Sequence, residues 1–96
     1  MNHRSKMLRE SARHEACVVC GDTGSTVWAH ANEQMAGKGT GIKGHDLLGL
    51  YLCAEHHAWY DQGKAPRAEK REFFREYYPK TMVRVAEKLA AGNLML

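Results

Sequence analysis

The chain has 96 residues, with 14 Lys and Arg against 11 Asp and Glu, a formal net charge of +3 and a mean hydropathy of −0.55. That length makes one domain, near the lower limit at which a hydrophobic core suffices unaided. No stretch approaches the roughly 20 apolar residues of a membrane helix, and the polar residues 1–13 lack the apolar run of a secretory signal.

In chain order, residues 5–15 read as a short helix, capped by Ser5, with Met7, Leu8 and Ala12 as a narrow apolar side. Residues 17–26 form a turn, Cys-Val-Val-Cys followed by Gly-Asp-Thr-Gly, a composition that punctuates structure. Thr26-Val-Trp-Ala-His30 is β-prone, and its alternation sets Val27 and Ala29 on one side, Trp28 and His30 on the other. A glycine-rich loop over 37–44 carries Lys38 and Lys43 but lacks the ending of a P-loop. Residues 47–52 make a second strand that ends at Cys53, and a helix runs from Glu55 to about Gln62, stopped by Gly63. Pro66 opens a further helix bearing Phe73, Phe74, Tyr77 and Tyr78. Pro79 is expected to break it, leaving 81–91 as a last helix with Met82, Val85, Ala86 and Leu89 on one face. The aromatics and this stripe are core, or a dimer face.

Three cysteines cannot all pair in disulfides, and with no signal segment the expected location is the cytoplasm, where thiols stay reduced. Metal binding is then their favoured use. Cys17-x-x-Cys20 is a knuckle whose two thiolates can approach one ion at about 2.3 Å, and Cys53-x-x-His56 supplies a second pair at the same spacing. A redox Cys-x-x-Cys and unpaired core cysteines are the competing readings, but a thioredoxin-type motif runs from a strand into a helix, whereas a glycine turn follows here. His57 is the other candidate for the fourth place. Neighbouring helical residues point about 100° apart, so one metal cannot take both histidines.

His30, His57 and Asp61 remain over. If His56 turns to the cysteines, His57 faces elsewhere, and Asp61 lies one turn along on that face. A histidine and a carboxylate at this spacing can share an ion through nitrogen and oxygen, and His30 could reach the same place. A helix-surface contact between His57 and Asp61, and a hydrogen-bonded core role for His30, are the plainer alternatives.

The order Cys-x-x-Cys, Ala-His, Asp, Leu-Cys-x-x-His-His resembles the HNH (ββα-metal, His-Me finger) endonucleases. More closely, Leu8-Arg-Glu-Ser-Ala-Arg13, Cys17, Trp28-Ala-His30, Gly41-Ile-Lys-Gly-His-Asp46 and Cys53-Ala-Glu-His-His57 with Asp61 look like the small phage and prophage nucleases of the YbcO type. The likeness covers residues 7–63. It implies an α+β fold: a small zinc-stabilised ββα-metal core over about 14–63, with a short β-hairpin, an N-terminal helix and a helical extension over about 66–92. It implies a metal-dependent endonuclease that hydrolyses DNA phosphodiester bonds and serves recombination or processing. His30 would be the general base, and His57 and Asp61, with His30 near, would hold a catalytic Mg²⁺, Mn²⁺ or Zn²⁺. Asp46 would orient His30, and Lys43 would touch a phosphate. Three positions depart from the family pattern: Ala29 stands where many members have Asp or His, Asp46 stands for Asn, and His56 stands for a second cysteine, a swap zinc accepts.

The expected partner is DNA, with a recombination protein as a further one, and the chain is expected to be a monomer or homodimer away from membranes. Lys38 and Lys43, with Arg4, Lys6, Arg9 and Arg13, can contact phosphates without specifying bases. The alternative function is a non-catalytic zinc module that binds DNA or a recombination protein, with His30 and His57 merely structural.

Overall fold

Two short antiparallel strands, packed on both faces, organise the computed structural model, which describes residues 6–31 and 47–95. The elements are α1 (Lys6–Ser11) running into a 3-10 turn (Ala12–His14), β1 (Val27–His30), β2 (Gly49–Leu52), α2 (Ala54–Gln62) and α3 (Arg67–Ala90). Ser5 and the lysine-bearing loop over 37–44 lie outside the described residues.

The strands pair Val27 with Leu52, Trp28 with Tyr51, Ala29 with Leu50 and His30 with Gly49. Strand pleating sends alternate residues to opposite faces, and here each face has its own cluster. Ala29, Leu50 and Leu52 pack with Tyr60 of α2, Phe74 of α3 and the cysteines Cys17 and Cys53. Trp28 and Tyr51 pack with Leu8, Ala12, Val85 and Leu94. All four β2 residues are therefore buried, which explains why the run from 49 to 52 is uninterrupted by a charge. The Trp28 and Tyr51 rings meet edge-on at 5.2 Å. Gly49 leaves room for the indole: a Cβ there would lie 2.5 Å from Trp28 Cε2.

α3 is a single helix, contrary to the break expected at Pro79. Its 24 residues give a length of about 36 Å, enough to serve both clusters. Phe74 faces the first, and Val85 the second. Pro79 is exposed, so its ring projects outward and the Arg75 carbonyl it leaves without an amide partner can turn to water. An interior proline costs about 3 kcal/mol, and burial of Phe74, Thr81 and Val85 on either side offsets that cost. The expected stripe is also narrower: Val85 is buried and Met82 half-buried, but Ala86 and Leu89 are exposed. On α1 and the 3-10 turn that follows, Leu8 and Ala12 are buried while Met7 is exposed.

α2 and α3 form a helical hairpin. Trp59 and Tyr60 meet Phe73 at 4.9 and 5.6 Å between ring centres, and Tyr78 donates a hydrogen bond to the Leu47 carbonyl at 2.9 Å. No helix among the described residues is long and apolar enough to cross a membrane.

Candidate metal centre

The knuckle is a tight turn held by its own backbone. The Cys17 amide donates to the Asp22 carbonyl at 2.8 Å, and the Gly21 amide donates back to the Cys17 carbonyl at 2.9 Å. Gly21 has φ 78, a left-handed conformation that glycine adopts without steric penalty. The Val18 amide donates to the Tyr51 carbonyl at 2.8 Å, which moors the knuckle to β2. At that same end of β2 the chain turns directly into α2. Cys53 is the residue before the first helical turn, and His56 lies in that turn, so three residues bring sulfur and imidazole together. Ser25 Oγ accepts the Ala54 amide at 3.1 Å, fastening the start of α2 to the segment after the knuckle.

The four side chains converge. Cys20 Sγ lies 3.9 Å from Cys53 Sγ, Cys17 Sγ lies 3.6 Å from His56 Nδ1, and Cys53 Sγ lies 3.1 Å from the same nitrogen. All four ligand atoms fall within 4.8 Å of one another. Tetrahedral zinc with sulfur at about 2.3 Å and nitrogen at about 2.0 Å separates its ligands by roughly 3.5–3.8 Å. The donor set suits a structural metal such as zinc, and separations from 3.1 Å up to 4.8 Å bracket that spacing, so Cys17, Cys20, Cys53 and His56 could hold one. The three cysteines are free of disulfides. Cys17 and Cys53 are buried, His56 is half-buried and Cys20 is exposed. Burial opposes ionisation of Cys17, but the amides of Cys20, Cys53 and Val19 outweigh it and draw the thiol down to about 7. At Cys20 the Asp22 amide favours the thiolate, yet desolvation and the neighbouring Cys17 and Cys53 sulfurs prevail and push the thiol up. Three sulfurs crowded together repel as thiolates, and a cation at their centre removes that repulsion.

Two polar ties from α3 steady the chain that leads into the knuckle. Arg84 Nη1 donates to the Ala16 carbonyl at 2.7 Å, and Lys88 pairs with Glu15 at 3.0 Å, both partners being mostly buried. Sequence reasoning missed Arg84, Lys88 and Ser25. A serine before Ala54 in space but not in sequence gives no local capping signal, and a contact spanning 68 residues gives none at all.

The remaining candidates are more dispersed. His30 is the last residue of β1, half-buried, opposite Gly49 and on the pleat position it shares with Trp28. Ala29, on the side that α2 covers, is buried and offers no ligand. His57 is half-buried in the first turn of α2, and Asp61 is exposed four residues on. Among the described residues, the Cys17, Cys20, Cys53 and His56 set is the group of three or more ligand atoms brought within 4.8 Å. His30, His57 and Asp61 do not form a second one. Asp46, Lys38 and Lys43 lie outside the described residues.

No protein-family model, curated protein or solved structure matches this chain.

Proposed function

We propose that this chain is a metal-dependent endonuclease of the HNH type that hydrolyses DNA phosphodiester bonds, encoded by a phage or prophage and linked to recombination or DNA processing. One observation carries the reading: the Cys17, Cys20, Cys53 and His56 cluster clips an antiparallel strand pair to a helix. The strand before the clip ends at His30, and the helix after it bears His57 and Asp61 one turn apart. This is the element order on which the sequence likeness to that family rests.

In this reading His30 accepts a proton from the water that attacks the scissile phosphorus. His57 contributes an imidazole nitrogen and Asp61 a carboxylate oxygen, four residues apart on one face of α2. A divalent ion bound there, Mg²⁺, Mn²⁺ or Zn²⁺, would stabilise charge on the phosphate and on the leaving 3′-oxygen. Asp46, in the place where the family pattern has an Asn, would orient His30.

Plasmid nicking by zinc-loaded protein with added Mg²⁺ or Mn²⁺ tests the reading. Loss of a general base lowers rates about 10²–10⁴-fold, so His30→Ala should cut at least about 100-fold more slowly while retaining zinc and helix content. Equal cutting by His30→Ala, or no cutting of any DNA form with any divalent ion, overturns it. A non-catalytic zinc module that binds DNA or a recombination protein is the second reading. It is favoured by the convergence of ligand atoms at one cluster among the described residues.

A further inference from the structure

The charge of this chain is not spread evenly. Residues 64–71 contain Lys64, Arg67, Lys70 and Arg71 against the single carboxylate Glu69. Four of the 14 cations and one of the 11 carboxylates thus lie in eight residues, and that segment holds the whole formal surplus of +3. The other 88 residues balance.

The fold sets this segment at the tip of the α2–α3 hairpin. Gly63 ends α2 with its amide on the Trp59 carbonyl, and α3 begins at Arg67. Lys70 Nζ donates to the Gly63 carbonyl at 2.7 Å, so Lys70 neutralises the C-terminal end of α2. Lys64 and Arg67 are different. Both are exposed, and among the described residues neither has an ion pair, hydrogen bond or ring contact. Elsewhere among the described residues, Lys6 pairs with Glu10, Arg75 with Glu72 and Lys88 with Glu15, Arg84 donates to a carbonyl and Lys80 lies over the Tyr77 ring, whereas Arg13 is exposed like Lys64 and Arg67.

Nor does the charge of Lys64 and Arg67 serve the fold. Arg67 and Lys70 occupy the first turn of α3, where the helix dipole disfavours cations, and Pro66 gives that turn no side-chain cap. Glu69 stands in the same turn and the Glu69 and Lys70 amides already bond the Pro66 carbonyl, so the free positive charge at this tip is that of Lys64 and Arg67. Lys64 follows Asp61 by three residues, at most about 11 Å of chain, so both stand at the C-terminal end of α2.

We infer that Lys64 and Arg67, at the tip of the α2–α3 hairpin, bind the phosphate backbone of DNA without reading its bases. The inference deepens the nuclease reading by locating the flank of the substrate, yet binding at this tip is measurable whether or not the chain cuts.

The test is binding of zinc-loaded protein to a mixed-sequence DNA duplex across a salt series, with no divalent ion beyond the structural zinc. Each phosphate contact contributes about 0.9 to the slope of log affinity against log salt. Lys64→Ala/Arg67→Ala should therefore lower the slope by about 1.5–2 and weaken binding about tenfold or more at moderate salt. A charge-matched control, Arg75→Ala/Lys80→Ala, should leave the slope nearly unchanged. The inference is overturned if wild-type protein does not bind the duplex, if the two double variants lose equally, or if phosphatidylserine vesicles lose binding in parallel with DNA. A lowered slope with no nicking by wild-type protein would sustain this inference while removing the endonuclease reading, so the two fail separately.

Discussion

Tyr51 shows what a single buried group does to this fold. It is fully buried, its ring packs against Trp28 and with Leu8 and Val85, and among the described residues its hydroxyl has no hydrogen-bond partner of good geometry. Burial, aided by Glu15, pushes its pKa up from 10.0 to about 12 against the opposing pull of Arg84. The unfolded chain therefore releases the phenolic proton first. Stability from the neutral ring is fully present below pH 10 and is lost as pH rises from about 10 to 12. Tyr51→Phe should flatten that alkaline loss in Tm measured across this range. At pH 7 it should be neutral or stabilising by about 1–2 kcal/mol, since it removes an unsatisfied buried hydroxyl. A steeper alkaline loss in the variant would contradict the burial argument. At this scale the metal ligands were legible in the sequence, because Cys17-x-x-Cys20 and Cys53-x-x-His56 fix their own local geometry. The burial of Tyr51 was not, because it depends on which residues of α1 and α3 arrive from elsewhere in the chain.

Among the elements, the strands and α2 were legible from alternation, from the apolar run ahead of Cys53 and from the stop at Gly63. Pro79 was misread because a local rule was applied where packing on both sides overrides it. Phe74 and Val85 sit on one helix between two clusters, and a break between them would expose at least one. The proline is therefore a tolerated cost, and its removal should be favourable. Pro79→Ala restores an amide that can donate to the Arg75 carbonyl and removes the ring clash, at the expense of a looser unfolded chain. We expect a gain of about 1–2 kcal/mol, or roughly 5–15 °C in Tm for a domain of this size, read by thermal denaturation followed by helical circular dichroism. An unchanged or lower Tm would mean that the loss of unfolded-state entropy the proline provides outweighs the restored hydrogen bond.

At the scale of the whole molecule the question is what closes so small a chain. The described core is two clusters of eight and six buried residues, and the strand pair supplies only four residue pairings. The knuckle and the β2–α2 corner lie more than thirty residues apart, and apart from the Val18–Tyr51 and Ala54–Ser25 hydrogen bonds they meet at the cysteine–histidine cluster. Structural zinc is worth roughly 10–16 kcal/mol to zinc-finger peptides, which equals or exceeds the 5–15 kcal/mol of a typical domain. Metal binding and folding should then be one transition. Chelation at neutral pH should abolish cooperative thermal unfolding and the near-ultraviolet signal of Trp28 and Tyr51, and stoichiometric zinc should restore both. Cys17→Ser should behave as the chelated protein does. His57→Ala should keep zinc, near-ultraviolet signal and a Tm within a few degrees of wild type, because His57 Nδ1 and Nε2 are not among the four converging atoms. If both variants lose structure alike, the fold does not separate a closed cluster from the other histidine of α2. If chelation leaves the melt unchanged, the α3 ties at Ala16 and Glu15 hold the knuckle without a metal, and the cluster does not stabilise the scaffold.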